Sequence, residues 1–454
     1  MRFSAAAALH GLVIPLFATL LLAAAVLCPP AVAQPAAPAA AAVSIVKIVV
    51  AAGDVERSNL PLQGHLPPAA AAGQSAKIKL PDGSRIDGQI VPAGLLDTTA
   101  HPDARDLVFV LPKLEAGATV ELEAEILSPG TSVPPGESAN GREPRLRWAD
   151  ENGAATLLLG GKPLIRAELP VYDASSEEAR AKSYKPFHHV FDPATGIRLT
   201  KGDGGLFPHH RGIFFGYNRI FHGPEKKTAS DCWHCKGQAR QEFREMREQT
   251  AGPVAALQRL AIEWIGSDGK PVLEELREIE AVPVRNGTVI EFASRLTSAA
   301  TLLLDGDPQH SGVHFRAANE VAETTKGDTY YIRPDGKAEP GKFRNWPQDT
   351  SYVNAPWHAA SFVVGGQRYT VLRVNRPANP GEARMSERDY ARFGSYFAHE
   401  LEPDAPLFVG YRFWVQPGEL PVDEAARIAA DYATPATVTV TIDSGSTHSG
   451  ETSR

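Results

Sequence analysis

Polar and apolar positions alternate with period two along much of this chain. In VELEAEIL, Val120, Leu122, Ala124 and Ile126 fall on one side and Glu121, Glu123 and Glu125 on the other. That is the signature of a strand with one buried and one wet face. SIVKIVV and DLVFVL are short β-branched and aromatic runs, set apart by Gly, Pro and Asp turn residues. Residues 43–130 are therefore expected to form a small β-sandwich domain. A Pro/Gly/Ser-rich linker at 131–144 leads into a larger region, 145–435. Its strands are expected in ATLLLGGKPLIRAEL, GIFFGYN, RLAIEWIG, TVIEFASRLTSA, SGVHFRAA, AASFVVGGQRYTVLRV and LFVGYRFWV. Turn signals such as SDGKPV, RNGT and NPGE recur between them. The fold class is all-β: a large antiparallel β-sandwich preceded by a small one. A single helix is expected in DEAARIAADYA, with Asp423 as N-cap. The Thr/Ser-rich segment 436–454 has little to bury and reads as a disordered tail.

The N-terminus changes the picture of where the protein works. Residues 1–33 carry one early positive charge, an apolar run and then Ala31-Val32-Ala33. A secretory signal peptide has this form, with a membrane anchor as the alternative. Residues 34–42 are Ala/Pro-rich and read as a linker. No later run approaches the roughly 18 apolar residues of a membrane span. The expectation is a soluble periplasmic or extracellular protein. Net charge is −7 over 454 residues and basic side chains do not cluster, so nucleic acid is not an expected partner. Beyond the signal the only cysteines are Cys232 and Cys235, in DCWHC. An oxidising compartment favours a local disulfide between them; free thiols, or metal and redox work, are the alternatives.

Candidate chemistry concentrates in PFHHVFDPATGIRLTKGDGGLFPHHRG, residues 186–212, which holds four of the chain's 14 histidines. His189, His209 and His210 offer acid–base groups or metal ligands, and Arg211 a planar fork for a carboxylate. In HSGVHFR, an extended reading puts His310, Gly312, His314 and Arg316 on one face. The two rings would then be about 13 Å apart, too far to share a metal. His189, His209, His210, Arg211 and His310 are the candidate catalytic set. His314, Arg316, Trp357, Arg376, Asn379 and Tyr396 are the candidate substrate contacts. Trp357 serves only if exposed, as a platform for a sugar ring. Arg376 and Asn379 sit in the turn-rich RPANPGE and Tyr396 in RDYARFGSYFAHE. His222, His234 and His358, taken singly, read as structural.

The runs PFHHVFDPATGIRLT, FPHHRGIFFGYN, DPQHSGVHFRA and WHAASFVVGGQRYTVLRVNRPANPGEARMSERDYARFGSYF follow the order and spacing of the PmoA-like family, named for methane oxygenase. The resemblance covers roughly residues 145–420. The family usually has one histidine in the first run, matching His189, and a phenylalanine where Cys232 stands here. Its members are secreted proteins of glycan-degrading bacteria, similar in pattern to the galactose mutarotase-like supersandwich. The genuine methane monooxygenase subunit is a bundle of membrane helices, so this sequence gives no support for methane oxidation. The resemblance implies a carbohydrate-active protein binding a sugar or another small polar or anionic ligand in a His/Arg-lined cleft. Lyase or epimerase chemistry fits these side chains better than hydrolysis, which needs two facing carboxylates; Asp192, Asp203, Glu382 and Glu400 have no pairing spacing. Two alternatives stand beside it. One is a metal-dependent enzyme with a divalent ion on three of His189, His209, His210 and His310. The other is a non-catalytic sugar-binding protein.

Overall fold

The computed structural model describes residues 44–127, 146–307 and 309–442. Signal peptide and both linkers lie outside the described residues. Among the described residues the chain forms four sheets, of seven, eight, four and nine strands, and the strand pairs are antiparallel. The all-β expectation holds, and its physical basis is visible strand by strand. In Thr119–Leu127, Leu122, Ala124 and Ile126 are buried, while Glu121 and Glu123 are exposed.

The first sheet runs Leu60–His65, Arg105–Leu111, Arg85–Pro92, Ser75–Lys79, Thr119–Leu127, Ser44–Ala51, Thr437–Ile442. It is one continuous sheet rolled until its edges meet. A Cβ on Gly64 would lie 2.6 Å from Val438 Cγ1, so only glycine lets the two edges approach this closely. The last strand corrects the expectation of a disordered tail. Thr437–Ile442 pairs with Ser44–Ala51, placing Val440 opposite Ile48 and Val438 opposite Val50. Threonine is polar but β-branched, so TVTVTI is a strand-forming run, and Val440 is buried in the rolled sheet's core. The rest of that tail lies outside the described residues.

The eight-stranded and nine-stranded sheets face one another across the main core. Phe215 meets Trp264 edge-on at 5.3 Å, and Phe315 meets Phe362 at 6.0 Å. The nine-stranded sheet is covered on its other side as well. There Val282, Leu372 and Trp414 pack with Leu60 and Val108 of the rolled sheet and Ile428 of the helix Val422–Ala433. The N-cap position of that helix is Pro421, with no side-chain capping bond, so Asp423, expected as the cap, lies two positions further on in the first turn. None of the described helices is long and apolar enough to cross a membrane.

The outer face of the eight-stranded sheet is covered by loops and a short helix. Strands Phe187–Val190, Ile213–Tyr217, Ser311–Arg316 and Arg392–Tyr396 lie side by side in reverse order within it. Loop 201–212, the turn at 231–237 and the short helix Glu177–Ser183 pack over that face. The backbone N–H of Gly212 donates to Lys201 O, Lys185 Nζ donates to Trp233 O, and Arg211 donates to Ala181 O.

Candidate metal centre

Three imidazoles meet above this face. One ring nitrogen of each of His209, His234 and His310 lies within 4.8 Å of those of the other two. Ring centroids are 4.4 Å apart for His209 and His234, and 4.8 Å for His234 and His310. Hydrogen bonds at one strand end set this convergence. The backbone N–H of Cys232 donates to Tyr217 O at 2.9 Å, and that of Asn218 donates to His310 O at 3.1 Å. Strand Ile213–Tyr217 thus ends by anchoring both the turn that carries His234 and the turn that carries His310. Gly216 permits the first anchor, since a Cβ there would lie 2.8 Å from Cys232 O.

Carboxylates orient two of the rings. His234 Nδ1 is 2.8 Å from Asp231 Oδ2, and His310 Nδ1 is 2.6 Å from Asp307 Oδ1. Both rings are held through Nδ1, leaving Nε2 for the centre of the cluster. Asp307 is itself fixed by Asn218 Nδ2 at 2.6 Å and by the N–H of Gln309 at 3.0 Å. Burial works to raise the Asp307 carboxyl, but the hydrogen bonds from His310 and Gln309 prevail and bring it down to about 2. Asp231 is lowered in the same way by His234. His209 Nε2 is buried without a partner. Burial, then the neighbouring His234, pushes its pKa down to about 2, which keeps the ring neutral with a lone pair to give. Carboxylate–histidine pairs converging on one point are how proteins hold transition metals, and three imidazoles suit zinc, copper or iron.

A second layer of buried polar groups adjoins the cluster. His210 is buried, its ring 4.3 Å from that of His209, and both its nitrogens lack partners. Burial, then His209 and Arg392, holds it far below the usual imidazole range. Trp233 stands edge-on to His314 at 4.8 Å and to His210 at 5.7 Å, its Nε1 unpartnered. Arg316 stacks over the Tyr390 ring at 4.5 Å. Lys201 donates to the carbonyls of Gly202 and His210, and burial, helped by Arg316, lowers its pKa to about 7. Leu206 and Phe207 are exposed at the tip of the covering loop.

The family of unknown function DUF6807 matches residues 154–430. This chain belongs to DUF6807. The matched span holds every residue of the cluster. Among solved structures, similarity extends to a glycosyl hydrolase family 38 protein and an alpha-mannosidase, both from Enterococcus faecalis. They are each 10% identical, with TM-scores of 0.39 and 0.40 over 88% of this chain. A GH36 alpha-galactosidase from Geobacillus stearothermophilus in complex with raffinose is 11% identical with a TM-score of 0.27, over 62% of this chain and 42% of its own. The DUF6807 chain spans under half the length of the first two, 47% and 46%. No curated protein matches it.

Of the residues expected from sequence, His209 and His310 enter the three-histidine cluster, and His210, His314 and Arg316 line its surroundings. His234 was expected to be structural and is a full member. The repeated spacing Asp-x-x-His, in DCWH and DPQH, is the signal that identifies it. His189 lies on the same sheet face but apart from the cluster. Its Nδ1 meets Thr200 Oγ1 at 3.0 Å and its Nε2 is 3.7 Å from Glu168. Arg211 is fully buried and gives its hydrogen bonds to the carbonyls of Pro208, Ala181 and Lys182, closing the end of helix Glu177–Ser183 instead of facing a ligand. Trp357 is buried between the nine-stranded sheet and the layer beyond it, so it offers no platform. Asn379 spends both ends of its amide on Gly410, and Arg376 reaches Leu96 O. Tyr396 is buried with its hydroxyl accepting from Arg384 at 2.9 Å. The two cysteines are free and buried, against the expected disulfide. Their sulfurs face different carbonyls, Cys232 that of Ile265 and Cys235 that of Tyr184.

Proposed function

We propose that this DUF6807 protein is a secreted, metal-dependent enzyme of carbohydrate chemistry, with one divalent cation held by His209, His234 and His310. The observation that carries the reading is the pair of aspartate-steered rings, His234 on Asp231 and His310 on Asp307, converging with His209. Three protein ligands leave a coordination position open, as catalytic sites require. A cation there would act as a Lewis acid on a hydroxyl or carbonyl oxygen. His210, neutral, buried and free at both nitrogens, is the group placed to accept or return a proton. Proton abstraction beside a carbonyl suits this arrangement better than two-carboxylate hydrolysis, because Asp231 and Asp307 are committed to their histidines. The sugar part of the reading draws on the resemblance to the PmoA-like family, and secretion draws on the signal-like N-terminus. The exposed ring of Phe207, 5.6 Å from that of Tyr390, adds an aromatic surface at the entrance.

Elemental analysis of protein purified without chelator tests the proposal. About one equivalent of a transition metal is expected in the wild type, lost in His234→Ala and His310→Ala. Wild-type protein that takes up no zinc, copper, iron or nickel overturns it. Mass detection of products from plant and algal oligosaccharides, with metal-loaded and metal-stripped protein, then identifies the reaction.

A further inference from the structure

Among the described residues, four of the eight buried arginines have carboxylate partners, Arg333 with Glu387 being one. Arg57 pairs with Asp431 at 2.7 Å, Arg277 with Glu275 at 2.7 Å, and Arg412 with Glu291 at 2.6 Å and Asp431 at 2.8 Å. The other four do not: Arg211 bonds only to carbonyls and Arg373 only to Asn375 and Ser395, and Arg316 and Arg392 lie paired beside the histidine cluster. Arg316 is fully buried; one nitrogen donates to the carbonyls of Ala317 and Tyr390, while Nε and Nη2 have no partner. Arg392 is 1% exposed, directly opposite Arg316 on the neighbouring strand, and its Nε is likewise unpartnered. Its other contacts are neutral: Ser386 Oγ at 2.9 Å, His314 Nδ1 and Gln309 O, each at 3.3 Å. Among the described residues no carboxylate comes within 4.0 Å of either guanidinium. The amine of Lys201 is buried near them, bonded only to carbonyls.

A buried charge without a counter-charge costs several kcal/mol. Two of them side by side, with free N–H groups, mark a place where the missing negative charge arrives from outside. The neighbourhood supplies further unpartnered N–H capacity from Trp233 Nε1 and the His210 ring. Planar guanidinium forks match the oxygens of a carboxylate, sulfate or phosphate. We propose that the substrate of this site is an anionic sugar, whose oxyanion seats between Arg316 and Arg392 while its reacting carbon lies toward the three-histidine cluster. This deepens the metal-dependent reading and rests on it for the position of the reacting carbon. The oxyanion seat itself stands on the arginines alone.

The test is calorimetric binding of glucuronate, glucose 6-sulfate, glucose 6-phosphate and glucose to wild-type protein stripped of metal by dialysis. At least one anionic sugar is expected to bind about tenfold or more tighter than glucose, and which one does so identifies the oxyanion. Arg316→Gln is expected to remove that preference with metal uptake unchanged. Three results overturn the inference: no anionic sugar exceeding glucose in the wild type, a preference seen only after metal is restored, or an Arg316→Gln protein that binds like the wild type. Should the variant not fold, the wild-type comparison decides alone. Absence of metal uptake with anion binding intact refutes the metal centre and leaves the oxyanion seat standing.

Discussion

Replacing Asp307 by Asn isolates what the carboxylate does for the cluster. In the native protein Asp307 accepts from His310 Nδ1 at 2.6 Å, from Asn218 Nδ2 at 2.6 Å and from the N–H of Gln309 at 3.0 Å. All its partners are donors. An amide of the same shape must turn an NH2 toward one of them, and it cannot supply the negative charge that makes His310 Nε2 a better electron donor. Losing such a carboxylate typically weakens metal binding by about 10- to 100-fold, or about 1.4–2.7 kcal/mol. The assay is competition with a chromophoric chelator for zinc, alongside thermal melting of the metal-free protein. Asp307→Asn should lower affinity by that factor and His310→Ala by more, while the metal-free Asn variant melts close to the wild type. A purely structural Asp–His pair gives the opposite pattern: metal-free stability falls and affinity holds. An Asn variant with wild-type zinc affinity therefore refutes the argument.

Two further predictions concern the scaffold. Glu280 is half-buried opposite Glu291 with Oε1 unpartnered; burial, then Glu278 and Glu291, raises its pKa to about 8. A carboxyl raised in the folded state stabilises below its unfolded pKa and loses that contribution as pH climbs through the folded value. Glu280→Gln should therefore raise the melting temperature near pH 9 and leave it almost unchanged near pH 4.5; equal effects at both would contradict the assignment. Ending the chain after Pro435 removes the strand Thr437–Ile442 and bares the edge of Ser44–Ala51. Urea unfolding should show a lower midpoint, corresponding to a loss of at least about 1 kcal/mol, and an unchanged midpoint would mean that the strand adds no stability.

Much of the architecture was legible because a strand's period is two and the alternation in VELEAEIL or RLAIEWIG is read directly. The tail failed for a specific reason: TVTVTI alternates two kinds of β-branched residue, and polarity alone hides it. Trp357 failed for another. Its strand is buried on both faces because the nine-stranded sheet is a middle layer, and periodicity does not count layers. In HSGVHFR the straight-strand reading put His310 and His314 in line. The strand begins at Ser311, and Gly312 takes a left-handed φ of 90°. His310 therefore sits in the preceding turn beside Asp307, free to meet His234.

The three ligands differ in how they are held. His234 and His310 come from turns anchored to the end of strand Ile213–Tyr217 and locked by their own aspartates. His209 comes from the loop that also carries Phe207 at its exposed tip and packs near Arg316 and Arg392, and its Nε2 has no partner within the protein. A cation in the cluster would give that nitrogen its only bond and tie the loop to the two fixed turns. His209, found readily from sequence, comes from the covering loop and has no carboxylate partner, whereas His234, which sequence reasoning missed, is held by its own aspartate.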